Sequence, residues 1–145
     1  MDSELYPVIS RTESSFSGRY LAWMPVRNYK ELLVWQKAID LVWLVYQATQ
    51  SFPPEEMYGL KSQLRRAAVS VPSNIAEGQG RNSTGEFRQF LGNAKGSLLE
   101  VETQVIIAQR LGFINNQYAQ QVNASVIEVL RILNGLVAAL PKSSK

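Results

Sequence analysis

Apolar residues recur at helical spacing along most of this chain. Between residues 32 and 50, Trp35, Ala38, Ile39, Val42, Val45 and Tyr46 fall at i, i+3, i+4 and i+7, the repeat of one helix face. Leu33, Val34, Leu41, Leu44 and Ala48 fill much of the remaining circumference. A helix that is apolar nearly all round must be covered on more than one side. A single-chain bundle covers only one side, so this helix points to an oligomer. The pattern takes Trp35, Ile39, Val42 and Tyr46 as the inward face, which sets Leu33, Val34, Leu41 and Leu44 between subunits.

Pro53 and Pro54 end that helix, because proline cannot continue it. A second helix is expected from Pro54 or Glu55, with Glu55 and Glu56 favourable at its positive end. Its core stripe is Met57, Leu60, Leu64, Ala67, Ala68, Val71 and Ile75, and Gly78 is its expected C-cap. Pro72 lies inside this pattern and should kink the helix, with Ser70, Ser73 and Asn74 able to satisfy freed backbone groups. Ser83 and Glu86 make an S-x-x-E capping box that opens a third helix. Phe87, Phe90, Leu91, Ala94, Leu98, Val101, Val105 and Ala108 form its stripe, and Gly112 stops it. Gly92 and Gly96, with Ser97, make one side of this helix small and predict a tight helix contact there, within or between subunits. Asn115 or Asn116 caps a fourth helix, which Pro141 ends. Its stripe is Ala119, Val122, Val126, Val129, Leu130, Leu133, Val137 and Leu140. Short connections place sequential helices antiparallel, so the expected fold is an all-α, up-down-up-down four-helix bundle.

Residues 1–28 lack this period. They are rich in Ser and carry scattered aromatics, Tyr6, Phe16, Tyr20 and Trp23. The expected organisation is a poorly ordered extension over 1–28, the bundle over 29–141 and a short tail over 142–145. Alternative readings of the first segment are a translation start at Met24, or an arm that docks through its aromatics. The first residues hold Asp2, Glu4 and Glu13 and no apolar run long enough for a signal peptide, so a cytoplasmic protein without membrane contact is expected.

Composition narrows the chemistry. The chain of 145 residues contains no Cys and no His. Thiol catalysis, thiolate metal sites and Ser-His or Cys-His triads are therefore excluded. Glu77, Glu100 and Glu102 form no Glu-x-x-His motif, so no ferritin-like metal site is expected. Arg66, Asn74, Glu77 and Glu100 read instead as structural polar residues, with Glu77 and Glu100 bonding Arg65, Arg66 or serines inside the bundle. Gly78, Gly80 and Gly85 resemble a phosphate loop only superficially: they follow a helix and lack the Lys-Ser/Thr ending. No cofactor is expected.

The net charge is only +3, but its distribution is uneven. Residues 57–95 hold six basic side chains against two acidic ones, an excess of +4. Lys61 and Arg65 share a helix face, as do Arg88 and Lys95, and Arg81 lies in the loop between those helices. A stripe of Lys61, Arg65, Arg81, Arg88 and Lys95 could meet phosphates; the alternative is a solvated face with internal salt bridges. No stacked aromatic platform accompanies it, since Phe87 and Phe90 read as core and Tyr58 is the exposed ring nearby.

Four segments together resemble one known family: 32–38 (LLVWQKA), 58–66 (YGLKSQLRR), 70–78 (SVPSNIAEG) and 96–104 (GSLLEVETQ). It is the four-helix-bundle family named for the 23S ribosomal RNA intervening sequence. The resemblance covers about residues 29–140, and 63–78 is its most specific part. Arg65, Arg66, Asn74, Glu77 and Gly78 match its motif. The resemblance implies an antiparallel four-helix bundle assembled as a ring-like homopentamer, with no catalytic activity. Some members are encoded within insertions in 23S ribosomal RNA genes. A similar bundle is the accessory variability protein of diversity-generating retroelements, which binds the reverse transcriptase and nucleic acid. The sequence therefore predicts a non-enzymatic, homo-oligomeric bundle that binds RNA or DNA through the basic stripe. The alternatives are a scaffold for such a reverse transcriptase and a protein-interaction module without nucleic acid.

Overall fold

Four helices are cut out of the chain by local signals that can be read one at a time. The computed structural model describes residues 28–142. They form α1 (Leu33–Ala48), α2 (Leu60–Gln79), α3 (Thr84–Arg110) and α4 (Asn116–Ala139). Single 3-10 turns at Tyr29–Glu31 and Pro54–Glu56 precede α1 and α2. Among the described residues there is no strand, and the architecture is all-α. The readings placed on residues 1–27 and on 143–145, including the start at Met24 and the docking arm, lie outside the described residues.

The caps of α3 and α4 follow the sequence. Ser83 Oγ accepts from the Glu86 backbone N–H at 3.1 Å, and Asn115 Oδ1 accepts from that of Tyr118 at 2.7 Å. Gly112, at φ +76°, closes α3: its N–H donates to the Gln109 carbonyl, and the Phe113 N–H to that of Ala108. Those two bonds make a Schellman motif, which only a residue tolerant of positive φ can complete.

The start of α2 differs from expectation. The chain makes a 3-10 turn at Pro54–Glu56, and α2 begins only at Leu60. Glu56 Oε1 accepts the Leu60 N–H at 2.9 Å and so satisfies a donor of the new first turn. Met57, assigned to the core by periodicity, therefore stands in the turn and is exposed. At its other end α2 runs through Pro72 and past Gly78 to a cap at Gly80. Gly78 is not a cap but a contact: a Cβ there would lie 2.6 Å from the Phe90 Cβ. α2 and α3 approach closely at this glycine. At Gly92 and Gly96, by contrast, a Cβ would meet nothing within 4 Å, so no tight contact is made there within the single chain.

Each helix packs on its sequence neighbours, and α4 closes on α1. Contacts between neighbours pair rising with falling residue numbers. Gly78 lies by Phe90, Ser70 Oγ is 2.8 Å from Ser97 Oγ, and Gln63 meets Gln104. Lys37 pairs with Glu128 at 3.4 Å between α1 and α4. One core of Val, Leu, Ile and Ala side chains fills the interior. The fourth helix is long and apolar enough to cross a membrane by length and composition; here its apolar stripe is one wall of that core.

The orientation of α1 overturns part of the assignment of its faces: Trp35 and Val42 pack against the core as expected, but Ile39 and Tyr46 do not. Val34, Ala38, Leu41, Val45 and Ala48 are buried in the core of the single chain. Val34 and Leu41, at 1% and 0% exposed, have no surface left for a second subunit. Leu33 and Leu44 are half-buried, and Leu44 packs against the core. Ile39, Trp43 and Tyr46 turn outward instead. The physical reason lies in shape. The fully buried face is Val, Ala and Leu, compact side chains that interdigitate with the neighbouring helices. The aromatic rings keep an apolar body on the bundle and a polar tip in water.

Candidate nucleic-acid interface

The basic stripe is divided by the bundle. Arg65 leans from α2 onto the end of α1, where its guanidinium lies over the Tyr46 ring at 4.1 Å. Its Nε donates to Thr49 Oγ1 at 2.8 Å and its Nη2 to the Tyr46 carbonyl at 3.2 Å. Thr49 is buried, and its hydroxyl donates in turn to the Val45 carbonyl. These bonds satisfy carbonyls at the C-terminus of α1, where a cation also complements the helix dipole.

Arg88 plays the same part at the other end of the bundle. Its Nη2 donates to the Leu140 and Pro141 carbonyls at 3.4 and 3.3 Å, just past the end of α4. Arg81 lies over the Phe90 ring at 4.7 Å and bonds Glu77 Oε2 at 3.0 Å. Three of the five residues assigned to nucleic acid thus hold helix ends or the α2–α3 turn. They do not line up as one stripe, since Arg65 faces α1 and Arg88 faces α4.

Lys61 is half-buried and Lys95 is exposed; neither has an ion-pair partner among the described residues. Arg66 shares that condition. It was assigned a structural role with Glu77 or Glu100, but Glu77 pairs with Arg81, and Arg66 and Glu100 are both exposed. Asn74 does serve structure: its Nδ2 donates to the Ser70 carbonyl and Oγ, both at 2.9 Å.

Sequence reasoning missed two surface features. The first is apolar. Ile39 and Tyr46 on α1 and Val69 on α2 are exposed, and so are Leu99, Ile106 and Ile107 on α3 and Ile127 on α4. The second is a cleft of about 430 Å³ between α1 and α4, lined by Trp43, Leu44, Gln47, Gln117, Tyr118 and Gln121. Trp43 is 63% exposed there. Its signal was present in the sequence as two i, i+4 pairs, Trp43 with Gln47 and Gln117 with Gln121, but nothing in the sequence says that they face each other.

No curated protein matches the chain. The family model of the 23S rRNA-intervening sequence protein matches residues 30–135, which span all of α1 to α3 and most of α4. The match and the four-helix fold together place the chain in the 23S rRNA-intervening sequence protein family.

Proposed function

We propose that this chain is a non-enzymatic, antiparallel four-helix bundle that assembles with copies of itself, in the ring-like pentamer its resemblance implies, and holds nucleic acid on that assembly. One observation carries the proposal: apolar side chains remain exposed on all four helices after the core is complete. Apolar surface spread over more than one helix suits a head-to-tail contact, which closes into a ring when the rotation between copies allows it. The non-enzymatic part rests on a sequence without His or Cys.

Nucleic acid is supported by the cations left over once the bundle has used its own. Lys61, Arg66 and Lys95 have no ion pair among the described residues, and repetition around an assembly would multiply few contacts into useful avidity. A protein client, such as a reverse transcriptase, draws support from the same apolar surfaces. Two measurements on the purified protein separate these readings. Light scattering should give a mass several times 16.3 kDa. Anisotropy titrations with single-stranded RNA, structured RNA and duplex DNA should show binding that weakens steeply between about 50 and 200 mM salt. An assembled protein that binds none of the three at low salt is a protein-interaction module. A monomer at micromolar concentration overturns the proposal.

A further inference from the structure

The cleft between α1 and α4 has a composition that the core and the apolar surfaces do not share. Trp43 and Gln47 stand one turn apart on α1, and Gln117 and Gln121 one turn apart on α4. Leu44 and Tyr118 complete the lining and pack against the core. Trp43 supplies an exposed aromatic face. Each glutamine amide offers a donor pair and an acceptor in one plane. None of the three amides is bonded to a described residue, and no charged side chain lines the cleft. Its volume of about 430 Å³ falls in the range of sites for small molecules, ~300–1,000 Å³.

A neutral, planar ligand whose edge carries both donors and acceptors fits this set. A nucleobase has that chemistry: every base has a face to stack and an edge to bond, and stacking on a single aromatic is tolerant of which base it is. A purely apolar occupant would bury the three amides unpaired, which disfavours a hydrophobic peptide side chain. We propose that this cleft takes one unstacked nucleobase, with Trp43 against its face and Gln47, Gln117 and Gln121 bonding its edge. The inference rests on the nucleic-acid reading above and names a base-binding site for it, apart from the phosphate-binding cations.

The test compares the full chain with Trp43→Ala, Trp43→Phe and the double variant Gln117→Ala/Gln121→Ala. The probes are a short fluorescent oligoadenylate RNA, an abasic strand of the same length and charge, and AMP. Wild type should prefer the adenylate strand to the abasic one by roughly tenfold, the scale of one stacked base. Trp43→Ala should lose that preference, Trp43→Phe should keep most of it, and the glutamine double variant should weaken adenylate binding alone. Circular dichroism and the mass by light scattering should be those of wild type throughout. Equal binding of adenylate and abasic strands by wild type overturns the inference while leaving nucleic-acid binding intact. So does a Trp43→Ala protein of reduced mass, because Trp43 would then be a subunit contact. AMP binding that needs Trp43, without binding of any strand, supports the cleft and overturns the nucleic-acid function. No binding of any probe overturns both.

Discussion

Helices α1 and α3 pose opposite problems to the physics of folding. α3 has one apolar stripe, a capping Ser83 and a positive-φ Gly112, and each signal agrees with the next. Only one rotation about its axis buries Leu91, Ala94, Leu98, Val101, Val105 and Ala108 together. α1 has apolar side chains on every side, so periodicity leaves its rotation open. Packing decides it: the small and branched face goes in, and Ile39, Trp43 and Tyr46 go out. α3 buries one stripe and still shows Leu99, Ile106 and Ile107 to solvent, whereas α1 buries one face and turns Ile39, Trp43 and Tyr46 outward; on these leftover apolar side chains we place assembly, and at Trp43 base binding.

The sharpest way to break this contrast is to put a charge on each side of α1. Leu41→Glu buries an unpaired carboxylate at a fully buried site and should destabilise the chain by more than about 4 kcal/mol, enough to unfold a marginal bundle. Trp43→Glu should change stability by no more than about 0.5 kcal/mol, since that side chain is mostly in water. Urea denaturation followed by circular dichroism reads both. Equal effects at the two positions would mean that the rotation of α1 described above is wrong.

Glycines give the next largest difference. Gly78→Ala drives a Cβ into Phe90 and should cost about 1–3 kcal/mol, because a packed helix pair must separate to admit it. Gly92→Ala meets open space in the middle of α3 and should instead stabilise by about 0.5–1 kcal/mol. The two denaturation midpoints should therefore move in opposite directions.

The cations should show the smallest effects and the most useful ones. Arg88→Ala removes two long hydrogen bonds to the end of α4 and should cost about 0.5–1 kcal/mol of stability. Lys95→Ala should leave stability unchanged but reduce the salt slope of binding to single-stranded RNA by about 0.7. If Arg88→Ala lowers that slope as much as Lys95→Ala does while stability holds, Arg88 is a phosphate contact after all.

These distinctions mark what the sequence could and could not disclose. The caps at Ser83, Asn115 and Gly112 and the stripes of α3 and α4 were legible, because each depends on residues within a turn or two of one another. The roles of Arg65 and Arg88 were not. Their acceptors lie on other helices, at Thr49 and Tyr46, and at Leu140 and Pro141. Charge is visible in a sequence, but whether it faces water or another helix's carbonyls is not. The same holds for Gly78: its place near the end of a helical stripe reads as a C-cap, and only the packing of α2 on α3 shows it to be a close contact with Phe90. Ile39 and Tyr46 were placed inward, and Trp43 was given no role, because a wheel apolar all round does not say which rim a side chain will occupy.

The central claim is that surplus apolar surface, not the core, joins copies of this chain. It is tested most directly by light scattering of the double variant Ile39→Glu/Ile127→Glu beside wild type. Both positions are exposed in the single chain, so the variant should keep its circular dichroism, while its unfolding midpoint falls to that of an unassembled chain. Wild type should scatter as a multiple of 16.3 kDa and the variant as a single chain. A folded variant that retains the full assembly mass would contradict the claim.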